Sequence, residues 1–501
     1  MAFAGVAADH PPRSDSHIVV RNTAVQMLRY TAVWGANVTL VLFLPRYLGD
    51  QGLGQLQFAV SFVSLFAFLV ALGTRNYMIK EVARDSARLP QMLRTALGLR
   101  VMSAGVVIVI MGIVAEMYGT TGSARHVIYL AMAWMVITSF AQLLAAGLHG
   151  LERMGWASFA EITNKVLVVA IGVTLLVQGG GVRTYVAVLV LGAIVNVLIN
   201  AGYIVRFARL RLDFDIQRMR VLAVRGGPYI LMGFLLGAYM HTDVVMLQAF
   251  TSDSVVGWHA AALQIYRSVE FLPAVLTTAL LPTLARIHSL SGAEAVGPLA
   301  RRSLAAMAIV MAPIGVGLSI TSAELIAAFP YPPEFENTVP ILVLMALSTP
   351  ISALLTILGT IAMATDRQRI WAYALALTVL LNVALNAIVI PYAQNAYGNG
   401  ATGAAATTLL TEFLLMVFGI ALLRRVIFER RLMISFAKVI VAVSLMGVVV
   451  YDAKMFGLGL WALVGAGAFT YALLVLFLRV VDRSDVAVIW QSVTHRSQRQ
   501  Q

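Results

Sequence analysis

The chain contains no cysteine, which excludes disulfide bonds, thiolate metal sites and cysteine nucleophiles. Charged residues are also scarce, at 12% of the 501 residues, against about 25% in a soluble domain. Neither a phosphate-binding loop of the form GxxxxGK(S/T) nor an HExxH metal motif occurs. These absences argue against the common soluble enzyme classes, and we expect no enzymatic activity, no cofactor and no resident metal ion.

Long apolar runs fill the chain instead. Hydrophobic residues make up 60% of it, and the mean hydropathy is +0.85. About fourteen runs reach the roughly 20 residues that a helix needs to cross the hydrocarbon core. They are continuously apolar and not alternating, which favours helices over barrel strands. The sequence therefore predicts an all-α polytopic membrane protein with about 14 transmembrane helices.

The basic residues predict the orientation of these helices. The net charge is +13, but the cations punctuate the apolar runs and form no soluble basic face, so we expect no nucleic acid partner. With a cytoplasmic N-terminus, roughly 26 of the 36 Lys and Arg fall in inside segments such as "RRVIFERR" (424–431), and about four fall outside. Such an asymmetry is typical of multi-pass proteins. We predict a plasma (inner) membrane protein with both termini in the cytoplasm.

A weak internal repeat predicts two halves. "DQGLGQLQFA" (50–59) follows the first apolar run and "DSVVGWHAAA" (253–262) follows the seventh, so that a shift of 203 residues aligns Gly54 with Gly257. Two six-helix lobes in parallel orientation follow from this, with two C-terminal helices outside the repeat. The predicted boundaries are a cytoplasmic tail at 1–22, lobes at 23–227 and 228–430, the last two helices at 431–480, and a tail at 481–501.

Three stretches resemble a known family. They are "LFLPRYLGDQGLGQLQFAVSFVSLFAFLVALGTRNYMIKEVARD" (42–85), "FPYPPEFENTVPILVLMALSTP" (329–350) and "AYGNGATGAAATTLLTE" (396–412). In these the chain resembles the polysaccharide or oligosaccharide flippases of the multidrug/oligosaccharidyl-lipid/polysaccharide exporter superfamily. The chain departs from the family at "PYPPEF" (330–335), where such proteins often carry a glycine turn.

The resemblance implies a fold and a cargo. The fold would be two pseudo-symmetric six-helix lobes plus two helices, enclosing a cavity that opens alternately to either face. The cargo would be a sugar chain on a polyprenyl pyrophosphate, moved from the cytoplasmic to the outer leaflet for polysaccharide export. Membrane lipids, glycan-assembly enzymes and a coupling H⁺ or Na⁺ are the further partners that we consider.

Charged residues inside the apolar runs are the candidate site residues, because a charge at mid-bilayer costs about 2.5–3.5 kcal/mol on insertion scales. Arg267 lies deep in the run 255–280. It could form an i,i+3 ion pair with Glu270, or it could face a hydrated cavity and bind phosphate through its guanidinium fork. Both alternatives remain open from sequence alone.

Three further cations are candidate phosphate ligands. Arg29 lies near the cytoplasmic end of the first run, where its side chain could also reach the membrane surface. Lys165 lies four residues after Glu161, so that a purely structural pair is the alternative. Arg75 lies at a helix end, where a structural role is favoured.

Acidic residues form a second candidate set, for ion coupling. Asp243 and Glu412 are embedded in apolar sequence, and Glu270 accompanies Arg267. Carboxyl groups removed from water can carry protons or bind Na⁺ with neighbouring carbonyl groups. Asparagines recur at i,i+4 in two runs, Asn196/Asn200 and Asn382/Asn386, and predict one polar helix face each.

Three other functions remain as alternatives. A drug/cation antiporter of the same superfamily would favour acidic and aromatic residues over arginines in its cavity. A membrane glycan polymerase or ligase would carry a long outer loop, whereas the outside loops here are about fifteen residues at most. A membrane scaffold without transport activity would have no need of the scattered intramembrane charges.

Overall fold

The computed structural model describes residues 15–117 and 122–480. Residues 1–14 of the predicted N-terminal tail and the whole predicted tail 481–501 lie outside this part, whereas residues 15–22 belong to the first helix. The described part holds sixteen α-helices, two short 3₁₀ helices at Ser86–Arg88 and Pro333–Thr338, and no strand. The α-helices are α1 Asp15–Ala71, α2 Thr74–Arg84, α3 Leu89–Met117, α4 Gly122–Gly150, α5 Met154–Val177, α6 Val182–Ile204, α7 Ile216–Phe250, α8 Asp253–Val269, α9 Phe271–Ala295, α10 Gly297–Ile320, α11 Ser322–Ala328, α12 Val339–Ala364, α13 Gln368–Tyr397, α14 Gly400–Ile427, α15 Arg430–Met455 and α16 Leu460–Phe477.

Thirteen segments of the described residues are long and apolar enough to cross a membrane. One of them, Gln26–Ala71, has 46 residues, about twice the length that one crossing needs. Gly49 divides it, with a φ of 65° that glycine adopts without a steric penalty. The division at Gly49 brings the count to fourteen, and a second long segment, Asp253–Ala295 with 43 residues, contains both α8 and α9. The predicted all-α polytopic fold is confirmed.

The eighth predicted run, 255–280, is not one straight helix. α8 ends at Val269, and α9 begins at Phe271. Pro273 has no backbone N–H and cannot bond the carbonyl group of Val269, which accounts for a break at this point. Glu270 therefore lies at the junction of two helices and not inside a continuous one.

The chain forms two compact units. The first comprises the described residues up to Leu40 together with Ala59–Gly237, and the second comprises Val41–Phe58 together with the described residues from Ala238 onward. The unit boundary at Gly237 lies close to the lobe boundary predicted at 227. Val41–Phe58 precedes that boundary in sequence but packs within the second unit. The two-lobe repeat itself stays a prediction.

Each unit has its own apolar core. In the first unit, buried side chains of α2, α3, α4 and α6 meet, among them Met78, Leu93, Leu143 and Ile204. In the second unit, α9, α10, α12 and α14 meet around Leu284, Leu304, Leu358 and Leu423. The last two helices, α15 and α16, pack on α10, where the hydroxyl group of Tyr471 donates to the backbone oxygen of Ile309 at 2.7 Å.

Candidate functional site

Arg29 is held in the first unit by a bidentate ion pair between α1 and α5. Its Nη1 donates to both carboxylate oxygens of Glu161, each at 2.9 Å, and its Nε donates to Oε1 of Gln26 at 2.8 Å. The guanidinium group also lies 4.2 Å from the ring centroid of Tyr30. Arg29 therefore has a fixed position inside the protein, and its side chain does not extend freely to the membrane surface.

Lys165 does not form an ion pair with Glu161. The Arg29–Glu161 pair engages both carboxylate oxygens, and within the described residues Lys165 forms neither a hydrogen bond nor an ion pair. Lys165 still lies within electrostatic range of Glu161, one helical turn away on α5. Its ammonium group thus keeps its donors available next to an already neutralised pair.

His149, near the end of α4, lies in the same region of the first unit. The charges of both Arg75 and Arg29 act on its imidazole group. Arg75 itself is exposed at the start of α2. The first unit thus brings three of the predicted phosphate ligands, Arg29, Lys165 and Arg75, around Glu161 and His149. A lone histidine at a helix end gives no sequence signal, and His149 was missed.

Asp243 is the centre of a polar cluster in the second unit. Its Oδ1 accepts from Nδ2 of Asn386 at 2.7 Å, and its Oδ2 accepts from the hydroxyl group of Thr408 at 2.7 Å. Nδ2 of Asn386 also donates to Oδ1 of Asn382 at 3.0 Å. Three helices, α7, α13 and α14, supply these groups. Their carboxylate, amide and hydroxyl oxygens are the ligands that hard cations prefer.

The cluster has the oxygen atoms for a cation but no cage of acids. Within the described residues, no group of three or more His, Cys, Asp or Glu side chains is arranged to hold a metal ion. Oδ1 of Asn386 is buried without a hydrogen-bond partner. A single carboxylate with neutral oxygens matches the charge of a monovalent cation better than that of a divalent one.

Glu412 lies one turn after Thr408 on α14 and is buried, with 4% of its surface exposed. Its Oε1 accepts from the hydroxyl group of Tyr239 at 2.8 Å, while its Oε2 is buried without a partner. The charges of Asp243 and Glu270 both act on Glu412. The second unit therefore brings the three predicted coupling carboxyl groups into one region.

Glu270 does not pair with Arg267. Its Oε2 accepts from the hydroxyl group of Ser352 at 2.9 Å, and its Oε1 is buried without a partner. The backbone from Arg267 to Glu270 is still helical, with the N–H group of Glu270 bonded to the carbonyl oxygen of Tyr266 at 3.3 Å, but no ion pair joins the two side chains. The ion pair considered from the sequence is therefore wrong.

Arg267, in contrast, has no counter-ion in the described part of the chain. No hydrogen bond or ion pair joins it to another described side chain. Its side chain is exposed on the protein, although protein surrounds the guanidinium group and its charge acts on His241 and His259. A guanidinium group in these surroundings can form a bidentate hydrogen-bonded pair with a phosphate group.

The two asparagine pairs have different surroundings. Asn200 donates to Oδ1 of Asn196 at 2.7 Å, in the same geometry as Asn386 and Asn382. Only the second pair reaches a carboxylate, Asp243. The partners Thr408 and Tyr239 were missed, because single hydroxyl groups are common in apolar helices and give no pattern.

Comparison with known protein families identifies the family of the chain. Residues 19–288 match the family model described as "Polysaccharide biosynthesis protein". The chain belongs to the polysaccharide biosynthesis protein family. No curated protein matches it in sequence.

Solved structures confirm the fold predicted for this family member. The lipid II flippase MurJ in an inward closed conformation is 14% identical with a TM-score of 0.69, over 92% of this chain and 99% of that one. A multidrug resistance MATE family transporter of the MOP superfamily, inward-facing, is 14% identical with a TM-score of 0.58, over 81% and 97%. A MOP superfamily transporter from Pyrococcus furiosus is 13% identical with a TM-score of 0.54, over 81% and 94%. The family model confirms the predicted polysaccharide family, whereas at these identities the likeness to the solved structures concerns the fold alone.

Proposed function

We propose that the chain is a flippase that moves an oligosaccharide linked to polyprenyl pyrophosphate from the inner to the outer leaflet of the plasma membrane by alternating access. Membership of the polysaccharide biosynthesis family and a fold similar to that of a lipid II flippase support a lipid-linked glycan as cargo. The observation that carries the proposal is Arg267, a solvent-accessible guanidinium group without a counter-ion. Such a group is costly inside a membrane unless it binds an anion.

The proposed phosphate ligands are the cationic side chains of the two units. Arg267 is the phosphate ligand of the second unit, because none of its donors is engaged by the described residues. Lys165 and Arg75 are those of the first unit, and Arg29 is their positioned neighbour on Glu161. Arg29 retains Nη2 for phosphate while its Nη1 and Nε are occupied. No covalent chemistry is required of any of these residues.

The carboxyl groups of the second unit are the proposed coupling site. Asp243 binds Na⁺ with the amide oxygens of Asn382 and Asn386 and the hydroxyl oxygen of Thr408, after the amide groups turn their oxygens inward. Glu412 and Glu270 each hold one buried oxygen without a partner, and these oxygens are the alternative carriers, for H⁺. Cation binding and release would then supply the free energy for directional flipping.

The second candidate function is a drug/cation antiporter of the same superfamily. The observation that favours it is the cluster of Asp243, Glu412 and Glu270, since three carboxyl groups in one region also suit an organic cation. The two functions predict opposite cargo charges. Binding of a lipid-linked anion requires Arg267, and organic cations do not compete with it.

Binding to the purified full chain in detergent distinguishes the two functions. We expect a polyprenyl-pyrophosphate oligosaccharide to bind saturably and soluble pyrophosphate to compete with it. Tetraphenylphosphonium, a lipophilic organic cation, should not displace it. Saturable tetraphenylphosphonium binding together with no binding of the lipid-linked sugar would select the antiporter.

A further inference from the structure

A cavity lined by charged and apolar side chains lies in the first unit, beside α2. Its volume is about 550 Å³, and its walls come from α2, from the start of α3 with the preceding 3₁₀ turn, and from the start of α7. Three arginines line it, Arg88, Arg218 and Arg225. The start of α7 belongs to the linker between the two predicted repeats, residues 205–225. The cavity therefore joins this linker to the loop after α2.

Two of the arginines are held in place by acids. Nη1 and Nε of Arg88 lie 2.9 Å from Glu81 and 3.1 Å from Asp85. Nη1 and Nε of Arg218 lie 3.2 Å from Asp213 and 3.0 Å from Asp215. In both residues, Nη2 donates to no side chain or backbone group of the described chain. The acids therefore fix two guanidinium groups and leave one nitrogen of each for a ligand.

Arg225 forms no ion pair with a described residue, although the charge of Glu81 acts on it. Its Nη1 donates to the hydroxyl group of Tyr77 at 3.0 Å. The surroundings are basic too, because residues 75–94 and 205–225 together contain eleven Lys and Arg against four Asp and Glu. The cavity lining holds Arg88, Arg218 and Arg225 against Glu81 and Asp215, so it keeps a net positive charge that favours an anionic ligand.

The linker beside the cavity exposes apolar side chains between its cations. Exposed large residues of this segment are Leu210, Leu212, Phe214, Ile216, Val221 and Val224. Between them stand the exposed arginines Arg209 and Arg211. Apolar side chains interspersed with arginines are typical of a segment that lies in the interface of an anionic membrane.

The depth of the cavity matches the headgroup region. In α7 the apolar stretch begins directly after Arg225, because no Asp, Glu, Lys or Arg lies between Arg225 and Asp243. On the opposite wall, Met92 and Thr95 already belong to the span that starts at Ser86. We therefore expect the cavity to lie near the headgroup region, at the end of the apolar part of α7.

We propose that this cavity binds the phosphodiester headgroup of an anionic phospholipid from the adjacent leaflet. Arg88, Arg218 and Arg225 bind the phosphate oxygens, and the apolar wall residues Met92 and Val221 contact the glycerol backbone and the first methylene groups. A bound lipid connects the loop after α2 to the linker. Only the choice of leaflet, the cytoplasmic one, rests on the proposed function.

Lipid retention tests the proposal without any transport step. The full chain is placed in bilayer nanodiscs that contain equal amounts of phosphatidylglycerol and phosphatidylcholine. The protein is then extracted, and native mass spectrometry of the intact complex counts the lipids that remain bound. We expect the wild type to retain phosphatidylglycerol in preference. Arg225→Gln, which loses a single exposed hydrogen bond, should lower that preference about fivefold, and the triple variant R88Q/R218Q/R225Q should abolish it.

The matched control is R424Q/R425Q/R431Q, which removes the same number of charges from exposed positions of α14 and α15 outside the cavity. It should retain phosphatidylglycerol as the wild type does. Equal loss in both triple variants, or equal retention of the two lipids by the wild type, overturns the proposal. A second experiment tests for a soluble ligand, with the protein in nanodiscs of phosphatidylcholine alone. If millimolar inorganic phosphate or glycerol 3-phosphate raises the unfolding temperature there and added phosphatidylglycerol does not, the ligand is soluble and the proposal is overturned.

Discussion

Gly54 and Gly257 pack backbone against backbone inside the second unit. A Cβ atom added to Gly54 would lie 1.8 Å from the carbonyl oxygen of Asp253, and one added to Gly257 would lie 1.9 Å from that of Asp50. The contact is reciprocal and joins the positions that the sequence shift of 203 residues aligns. Only glycine permits two helix starts to approach so closely.

The first prediction concerns this contact. Gly257→Ala should destabilise the folded chain by about 1–3 kcal/mol, because the backbone carbonyl group of Asp50 cannot yield as a side chain would. Thermal unfolding in detergent measures the loss. Gly35→Ala is the matched control, since its added Cβ meets nothing within 4 Å, and it should be neutral or slightly stabilising. Equal unfolding temperatures for the two variants would contradict the packing.

The second prediction concerns Arg267. Arg267→Ala should weaken binding of a polyprenyl-pyrophosphate oligosaccharide about tenfold to a hundredfold, because charged hydrogen bonds contribute about 1.5–3 kcal/mol. Lysine should restore part of the affinity as a point charge without the fork. Titration of the purified chain measures both, and Arg286→Ala, an exposed arginine of α9, is the control.

The same titration checks that Arg267 acts independently of Glu270. Because Glu270 bonds Ser352, adding Glu270→Ala to Arg267→Ala should not restore binding. Full recovery in the double variant would mean that the two side chains form a structural pair after all.

The third prediction concerns coupling. Asp243→Asn should make transport independent of the Na⁺ gradient, and Asn386→Ala should raise the Na⁺ concentration needed by at least about tenfold, as loss of a group that orients a ligand does. Transport measured against Na⁺ concentration and against pH separates the two ions. Asn200→Ala is the control, because its partner pair has the same geometry without a carboxylate. Unchanged gradient dependence in Asp243→Asn would remove the coupling role of this cluster.

The fourth prediction concerns orientation and uses the absence of cysteine. Single cysteines at Ser252 and Ser289, both exposed, provide unique labelling sites in an otherwise thiol-free chain. A membrane-impermeant maleimide should label Ser252→Cys in intact cells and Ser289→Cys only after permeabilisation. The inverse pattern would show that the termini are not cytoplasmic.

Helix number and fold class could be predicted because they depend on local hydropathy. The Arg29–Glu161 contact could not, because 132 residues separate the partners and sequence spacing suggested Lys165 instead. The cluster at Asp243 was half predicted, through Asn382 and Asn386, since i,i+4 amides form a pattern that one hydroxyl group does not.

One buried charge without an acidic partner was not predicted, although it lies near the start of an apolar run. Arg100 is 2% exposed, and it donates to backbone oxygens of Ser139 at 2.8 Å and Ala71 at 3.3 Å and to the hydroxyl group of Thr74 at 2.7 Å. These bonds fix the junction between α1 and α2. Backbone acceptors carry no sequence identity, so only the fold reveals such a site.

Flipping of a defined substrate tests the central claim most directly. A polyprenyl-pyrophosphate oligosaccharide is enclosed in the inner leaflet of vesicles that contain the full chain, and a glycosidase outside reports the sugars that reach the outer leaflet. The account predicts protein-dependent exposure of the glycan, retained in Arg286→Ala and lost in Arg267→Ala, with both variants folded. Absence of exposure with the wild type, or equal exposure with Arg267→Ala, would contradict it.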